Sequence, residues 1–189
     1  MKKNLICVSA PSGSGKTTLC KAIRKLRSDL VWSVSCTTRS PRNGEVDGED
    51  YHFKTKKDFL SMINEGVFAE WENVHGNYYG TIKSKLNDSI KNNETVLLEL
   101  DVNGTTTIQK LYPNHSYSIF IIPPSKDHLR IRLKSRASET DQIIEKRLRR
   151  FDKEMKHKDQ FDTLLINDNI DVAIKDFIKK VNQITKGVY

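Results

Sequence analysis

Only three cysteines occur in 189 residues, Cys7, Cys20 and Cys36. They are far apart, odd in number and form no Cys-x-x-Cys pair, which excludes a disulfide scaffold and a structural zinc site and predicts reduced thiols. No apolar run approaches the roughly 18 residues of a membrane span. The run nearest the start, Leu5 to Val8, is too short for the core of a secretion signal, so the expected location is the cytoplasm. There is no internal repeat and no low-complexity linker. Acidic residues are outnumbered: 32 Lys and Arg stand against 24 Asp and Glu, a net charge of +8. Such an excess suits nucleic acid, anionic lipid or small phosphorylated ligands. Between residues 125 and 160 there are twelve basic residues against seven acidic ones. They stand singly within helical patterns, which reads as a solvated helix surface and not as a disordered tail. The remaining composition is ordinary, with apolar residues enough for one domain and one or two small appendages.

What is present alternates. Leu5-Ile6-Cys7-Val8-Ser9 is a short apolar run that stops at Pro11-Ser12-Gly13-Ser14-Gly15. Leu19, Ala22, Ile23, Leu26 and Leu30 then recur at helical spacing. Val96 to Leu100, Tyr117 to Ile122 and Thr163 to Ile166 are further apolar runs, ending at Asp101, Pro123 and Asn167. Near-continuous apolar strands separated by helices predict an α/β domain with a parallel sheet covered on both faces. A last helix is expected after Asp171 as N-cap, burying Ile174, Phe177, Ile178, Val181 and Ile184. Two stretches leave the alternation. Residues 33–81 read as a small insert of strands and turns, with strand-like pieces at Ser33-Val34-Ser35 and Asp50 to Phe53. Residues 125–160 read as helical, with Ile144, Leu148, Phe151 and Met155 as one apolar stripe and a turn at residues 137–140.

The densest chemistry is Ala10-Pro11-Ser12-Gly13-Ser14-Gly15-Lys16-Thr17-Thr18. It matches the phosphate-loop pattern G-x-x-x-x-G-K-[ST] except for Ala10 at the first glycine. Gly13 and Gly15 let backbone N–H groups turn inward around phosphate oxygens, and the following helix start adds its dipole. Lys16 reaches β- and γ-phosphates as a mobile charge, and the Thr17 hydroxyl suits Mg²⁺. A preceding strand and a following helix favour a nucleoside triphosphate site over a chance glycine-rich turn. Ala10 leaves that chemistry intact provided it needs no positive φ.

The second dense segment runs from Ser33 to Tyr51. In it Arg39 and Arg42 lie three apart around Pro41, a spacing at which two guanidinium forks can converge on one phosphate. Tyr51 and Tyr79 are phenolic donors for the same anion. Phe68-Ala69-Glu70-Trp71 and Gly76-Asn77-Tyr78-Tyr79-Gly80-Thr81 follow. By itself Glu70 reads as a surface carboxylate in a loop. Taken in order over nearly the whole chain, these runs and the later Arg132/Arg136, Lys146-Arg147-Leu148 and Asn167-Asp168 pieces resemble the guanylate kinases.

The resemblance implies a P-loop α/β core over residues 1–32, 82–124 and 160–189, a GMP-binding insert over 33–81 and a helical lid over 125–159. It implies ATP, Mg²⁺ and GMP as ligands, with dGMP as a further acceptor, and a place in purine nucleotide metabolism. By position, Ser35, Glu70, Thr81 and Asp101 would read the guanine, and Arg39, Arg42, Tyr51 and Tyr79 would hold the GMP phosphate. Guanine N1–H and N2–H₂ suit one doubly accepting carboxylate, and adenine lacks that donor pair. Residues 10–18 and Asn167 would bind ATP, with a plain turn asparagine as the other reading of Asn167. Thr17, with Glu99 or Asp101 through water, would hold the metal. Lys16, Arg132, Arg136 and Arg147 would neutralise the transferred charge, while Arg130, Arg149 and Arg150 match nothing and read as solvated. Glu99 stands where the family has Asp, Asn103 where it has Gln, and Ala137 where it has Gly. Three other readings compete: a non-catalytic binding module of the same fold, a related kinase of a phosphorylated sugar, and a nucleic-acid binder. Lys16, Thr17 and the lid arginines argue against the first, and Glu70 and Thr81 against the second; the third needs basic clusters with aromatic platforms, whereas the aromatics here accompany the GMP motifs.

Overall fold

A computed structural model describes residues 2–74, 76–135 and 141–189. The chain opens with β1 (Leu5–Ser9), α1 (Lys16–Leu26) and β2 (Val31–Trp32). It continues through β3 (Cys36–Thr37), β4 (His52–Phe53), α2 (Lys56–Asn64), β5 (Phe68–Val74) and β6 (Asn77–Ile82). Next come α3 (Lys83–Lys91), β7 (Val96–Glu99), α4 (Val102–Leu111) and β8 (Ser116–Ile122). Then follow α5 (Lys126–Ser135), α6 (Asp141–Met155), β9 (Thr163–Ile166) and α7 (Ile170–Lys186). Five strands form one parallel sheet in the order β2-β7-β1-β8-β9.

The apolar strands are near-continuous because both faces of this sheet are covered. Ile6 and Val8 pack with Leu19 and Ile23 of α1 and with Phe177, Val181 and Ile184 of α7. Leu5 and Cys7, the alternate residues, pack with Leu86 of α3 and Ile108 of α4 on the opposite face. All three cysteines are free and buried, and burial raises each thiol pKa, that of Cys36 to about 11. They are therefore neutral thiols at physiological pH. No helix among the described residues is long and apolar enough to cross a membrane.

Several boundaries differ from the sequence pattern. In α1, Leu26 is 59% exposed and Leu30 lies beyond the helix end, while Cys20 takes an inward position. The last helix starts earlier than expected. Asn169 caps it, accepting from the backbone N–H groups of Asp171 and Val172, and Asp171 stands in the first turn, where its charge favours the helix N-terminus. Ala173 joins its buried face, whereas Ile174 and Ile178 are only partly buried.

Ser33 to Ser35 is not a strand. It connects β2, which belongs to the parallel sheet, to β3 of a second sheet of order β4-β3-β6-β5. That second sheet is not all strand and turn, since it carries α2. Thr55 caps α2 by accepting from Asp58 N–H at 3.1 Å, and Phe59 stacks on Phe68 with ring centroids 4.5 Å apart. Thr55-x-x-Asp58 followed by Phe59, Met62 and Ile63 was the available sequence signal. In α6 the expected stripe holds: Ile144, Leu148 and Phe151 are buried with Leu129 and Leu133 of α5, and Met155 packs beside them. The turn expected at 137–140 lies outside the described residues.

Candidate active site

The carboxyl ends of parallel strands are where open α/β sheets place ligands, at the point where strand order reverses. Here that point is β1, with β7 on one side and β8 on the other. The loop after β1 and the residues after β7 border one cavity of about 520 Å³. Its size suits a small-molecule site.

At one end lies the glycine-rich loop. Gly13 and Gly15 hold φ of +91° and +89°, which side-chain-bearing residues rarely adopt. Asn93 is the only non-glycine at positive φ among the described residues, so Ala10 meets the condition set by its sequence. Ala10, Pro11, Ser12, Gly13, Gly15, Lys16, Thr17 and Thr18 border the cavity, whereas the Ser14 side chain is buried behind it. Lys16 donates to the Leu100 carbonyl at 2.9 Å and stands 3.8 Å from Glu99 Oε1. Thr17 donates to the same carboxylate oxygen at 2.6 Å. The extra methylene of Glu99 therefore lets it touch the loop directly. Asn167 is buried and does not border the cavity. Its amide donates to the Ser14 carbonyl at 2.8 Å and fills the space beside Gly15, bracing the loop from behind.

At the other end stands Glu70 on β5, only 8% exposed. It accepts from the Thr81 hydroxyl of β6 at 2.5 Å. Burial raises its pKa to about 7; the nearby Asp101 and Glu72 carboxylates push the same way, and the Thr81 hydrogen bond opposes them. Asp101 caps α4, accepting from Gly104 N–H at 2.8 Å. Ser35, Asp101 and Glu70 border the cavity, while Thr81 sits behind Glu70. Glu72 also borders it, two residues along β5 from Glu70 and so on the same strand face. Burial and Asp101 raise the pKa of Glu72, and the Asn103 side chain acts in the opposite direction.

Between the ends lies a cationic and phenolic group. Tyr51 and Tyr79 meet edge-on at 6.0 Å, and the Arg39 guanidinium lies 5.4 Å over the Tyr51 ring. Burial raises the Tyr51 pKa to about 12, so its phenol remains a donor. Arg39 is paired with Glu45 at 2.8 Å, and the second Glu45 oxygen accepts from Arg42 N–H at 2.7 Å. Arg42, Tyr51 and Tyr79 border the cavity, and Arg39 stands just behind.

The helical segment contributes differently from expectation. Arg132 donates to the Asp168 carbonyl at 2.8 Å, Arg147 stands on α6, and neither borders the cavity. Arg136 and Ala137 lie outside the described residues. Arg150, read from the sequence as solvated, does border the cavity together with Glu154. Its Nε donates to Glu154 at 2.7 Å, and Glu154 also accepts from the Ser12 N–H at 3.3 Å, tying α6 to the loop. The i,i+4 spacing of Arg150 and Glu154 was the only sequence signal. Arg130, by contrast, pairs with Glu145 at the surface.

A glycine-rich anion loop at the carboxyl edge of a five-stranded parallel sheet defines a P-loop protein of the α/β class. A family model described as guanylate kinase matches residues 2–184. The guanylate kinase of Chlorobium luteolum is 42% identical over 178 residues, which cover 94% of this chain and 90% of that protein. That of Prochlorococcus marinus is 42% identical over 180 residues, covering 95% and 97%. The crystal structure of guanylate kinase from Anaplasma phagocytophilum superposes with a TM-score of 0.78 at 28% identity, covering 97% of this chain and 87% of that one. The chain belongs to the guanylate kinase family.

Proposed function

We propose that this protein transfers the γ-phosphoryl group of ATP to GMP, giving ADP and GDP, as a cytoplasmic enzyme of purine nucleotide metabolism. The observation that carries the reading is a buried Glu70, held by Thr81, in the same cavity as the glycine-rich loop. Residues 10–18 are assigned the ATP phosphates, with Asn167 positioning the loop and Arg150 adding a cation at that end. Ser35, Glu70, Thr81 and Asp101 are assigned the guanine. Arg39, Arg42, Tyr51 and Tyr79 are assigned the GMP phosphate, with Glu45 orienting both arginines. In this reading residues 33–81 serve as the acceptor-binding unit and 125–159 as the lid that brings Arg132, Arg136 and Arg147 toward the phosphates.

Phosphoryl transfer asks a protein mainly to position reactants and neutralise charge. Lys16 lies at the loop, poised by the Leu100 carbonyl and by Glu99. A phosphate monoester is largely dianionic near neutral pH, with its second pKa at about 6, so the acceptor oxygen needs no general base. The lid excludes water that would otherwise compete as acceptor. The Thr17 hydroxyl and the Glu99 carboxylate are adjacent hard oxygen ligands at the cavity, a set that fits Mg²⁺ shared with substrate phosphates. When bound there, Mg²⁺ would supply charge neutralisation to the β- and γ-phosphates.

An ADP-release assay across GMP, dGMP, AMP, CMP and UMP tests this reading. GMP should exceed AMP by about 10⁴-fold in kcat/KM, because a site built of hydrogen-bonding groups is left unpaired by the wrong base. Turnover of AMP equal to that of GMP would overturn it, as would transfer to neither.

A further inference from the structure

Gly104 is the third residue of α4, behind the Asp101 cap, and it is buried. Its φ lies outside the left-handed region, so the backbone does not require glycine there. A glycine inside a helix is less favourable than alanine, since it orders a more flexible backbone. The neighbours supply the reason. A Cβ at position 104 would stand 2.7 Å from Glu70 Oε2, 3.3 Å from Glu70 Cδ and 3.3 Å from Asp101 Oδ1. Glu70 cannot simply swing aside, because its other oxygen is held by the Thr81 hydroxyl at 2.5 Å.

We propose that Gly104 is a specificity-determining residue of the base pocket, its missing side chain letting the Glu70 carboxylate seat against the first turn of α4. That seat leaves the cavity in front of the carboxylate open for a purine edge. A methyl group at 104 drives the carboxylate forward into the cavity and away from Thr81. The inference rests on reading Glu70 as the acceptor of the guanine N1–H and N2–H₂ donors.

Gly104→Ala should raise the KM for GMP at least tenfold and leave the KM for ATP within twofold. Its Tm should fall by a few degrees, because the displaced carboxylate gives up its buried hydrogen bond to Thr81, which outweighs the better helix propensity of alanine. The preference for GMP over IMP, which lacks the 2-amino group, should fall as well. Glu70→Asp draws the carboxylate back by one methylene. In that background Gly104→Ala should therefore add less than a twofold effect on the KM for GMP, and the double variant should fold. A Gly104→Ala protein with KM for GMP within twofold of wild type would overturn the proposal. So would effects that multiply independently in the double variant, or a double variant that does not fold. Glu70→Gln separates the two levels. If it leaves GMP use intact, the guanine reading fails and the Gly104 inference falls with it. If it impairs GMP use while Gly104→Ala does not, the Gly104 inference alone fails.

Discussion

Lowering the pH from 8 to 6 should raise the KM for GMP about tenfold through one group, Glu70. Burial, with the Asp101 and Glu72 carboxylates beside it, holds its pKa near 7 in the ligand-free protein. Only the ionised carboxylate accepts from both guanine donors. With a pKa of about 7, roughly nine tenths of the protein is competent at pH 8 and roughly one tenth at pH 6. The GMP phosphate titrates at about 6 and would contribute its own inflection. Steady-state kinetics of the wild type and of Glu70→Gln, both across pH 6 to 8, separate the two. The variant should have weaker GMP use throughout and should keep only the phosphate inflection. The same shift acts on stability. A carboxyl group whose folded pKa is raised from 4.5 to about 7 contributes stability fully present below 4.5 and lost as the pH rises through about 7. GMP, by pairing the ionised form, should raise Tm more at pH 8 than at pH 6. Parallel pH profiles for wild type and Glu70→Gln would refute the assignment of Glu70 to the base.

Lys16→Ala should fold normally and lose at least about a hundredfold in kcat, the scale for one preorganised charge at a transition state; near-normal turnover would remove the loop from the mechanism. Arg150→Ala should raise the KM for ATP about tenfold with the KM for GMP unchanged, the range expected of one hydrogen-bonded charge, and Arg149→Ala, on an exposed position of the same helix, should change neither. Phe177→Ala removes a fully buried ring between α7 and the parallel sheet. It should cost about 3–5 kcal/mol. For a chain of this size that is a fall in Tm of about 10 °C, readable by thermal melts without any effect on nucleotide preference beyond the loss of folded protein.

The parallel sheet is legible in the chain alone, because a strand covered on both faces must be apolar at consecutive positions, and Leu5 to Val8, Val96 to Leu98 and Ile119 to Ile121 are. The glycine-rich loop is legible too, since Gly13 and Gly15 at positive φ and the lysine after them are local requirements of one short segment. Short elements were less legible. β2 and β3 are two residues each, and only their partners assign them to different sheets. α2 was hidden inside a stretch read as strands and turns, although its cap was written in Thr55 and Asp58.

Relations between residues far apart in the chain come from packing instead. Arg150 and Glu154 belong to the cavity because α6 packs through Leu148 and Phe151 onto α5, which sets its next turn against the Ser12 amide. Asn167 braces the loop instead of bordering the cavity because β9 ends beneath Ser14. The raised pKa of Glu70 comes from its burial beside Asp101 and Glu72, and the missing side chain of Gly104 comes from the approach of β5 to the first turn of α4, which leaves no room for a Cβ. Desolvation and steric exclusion depend on what surrounds a group in three dimensions, and no spacing along the chain encodes them.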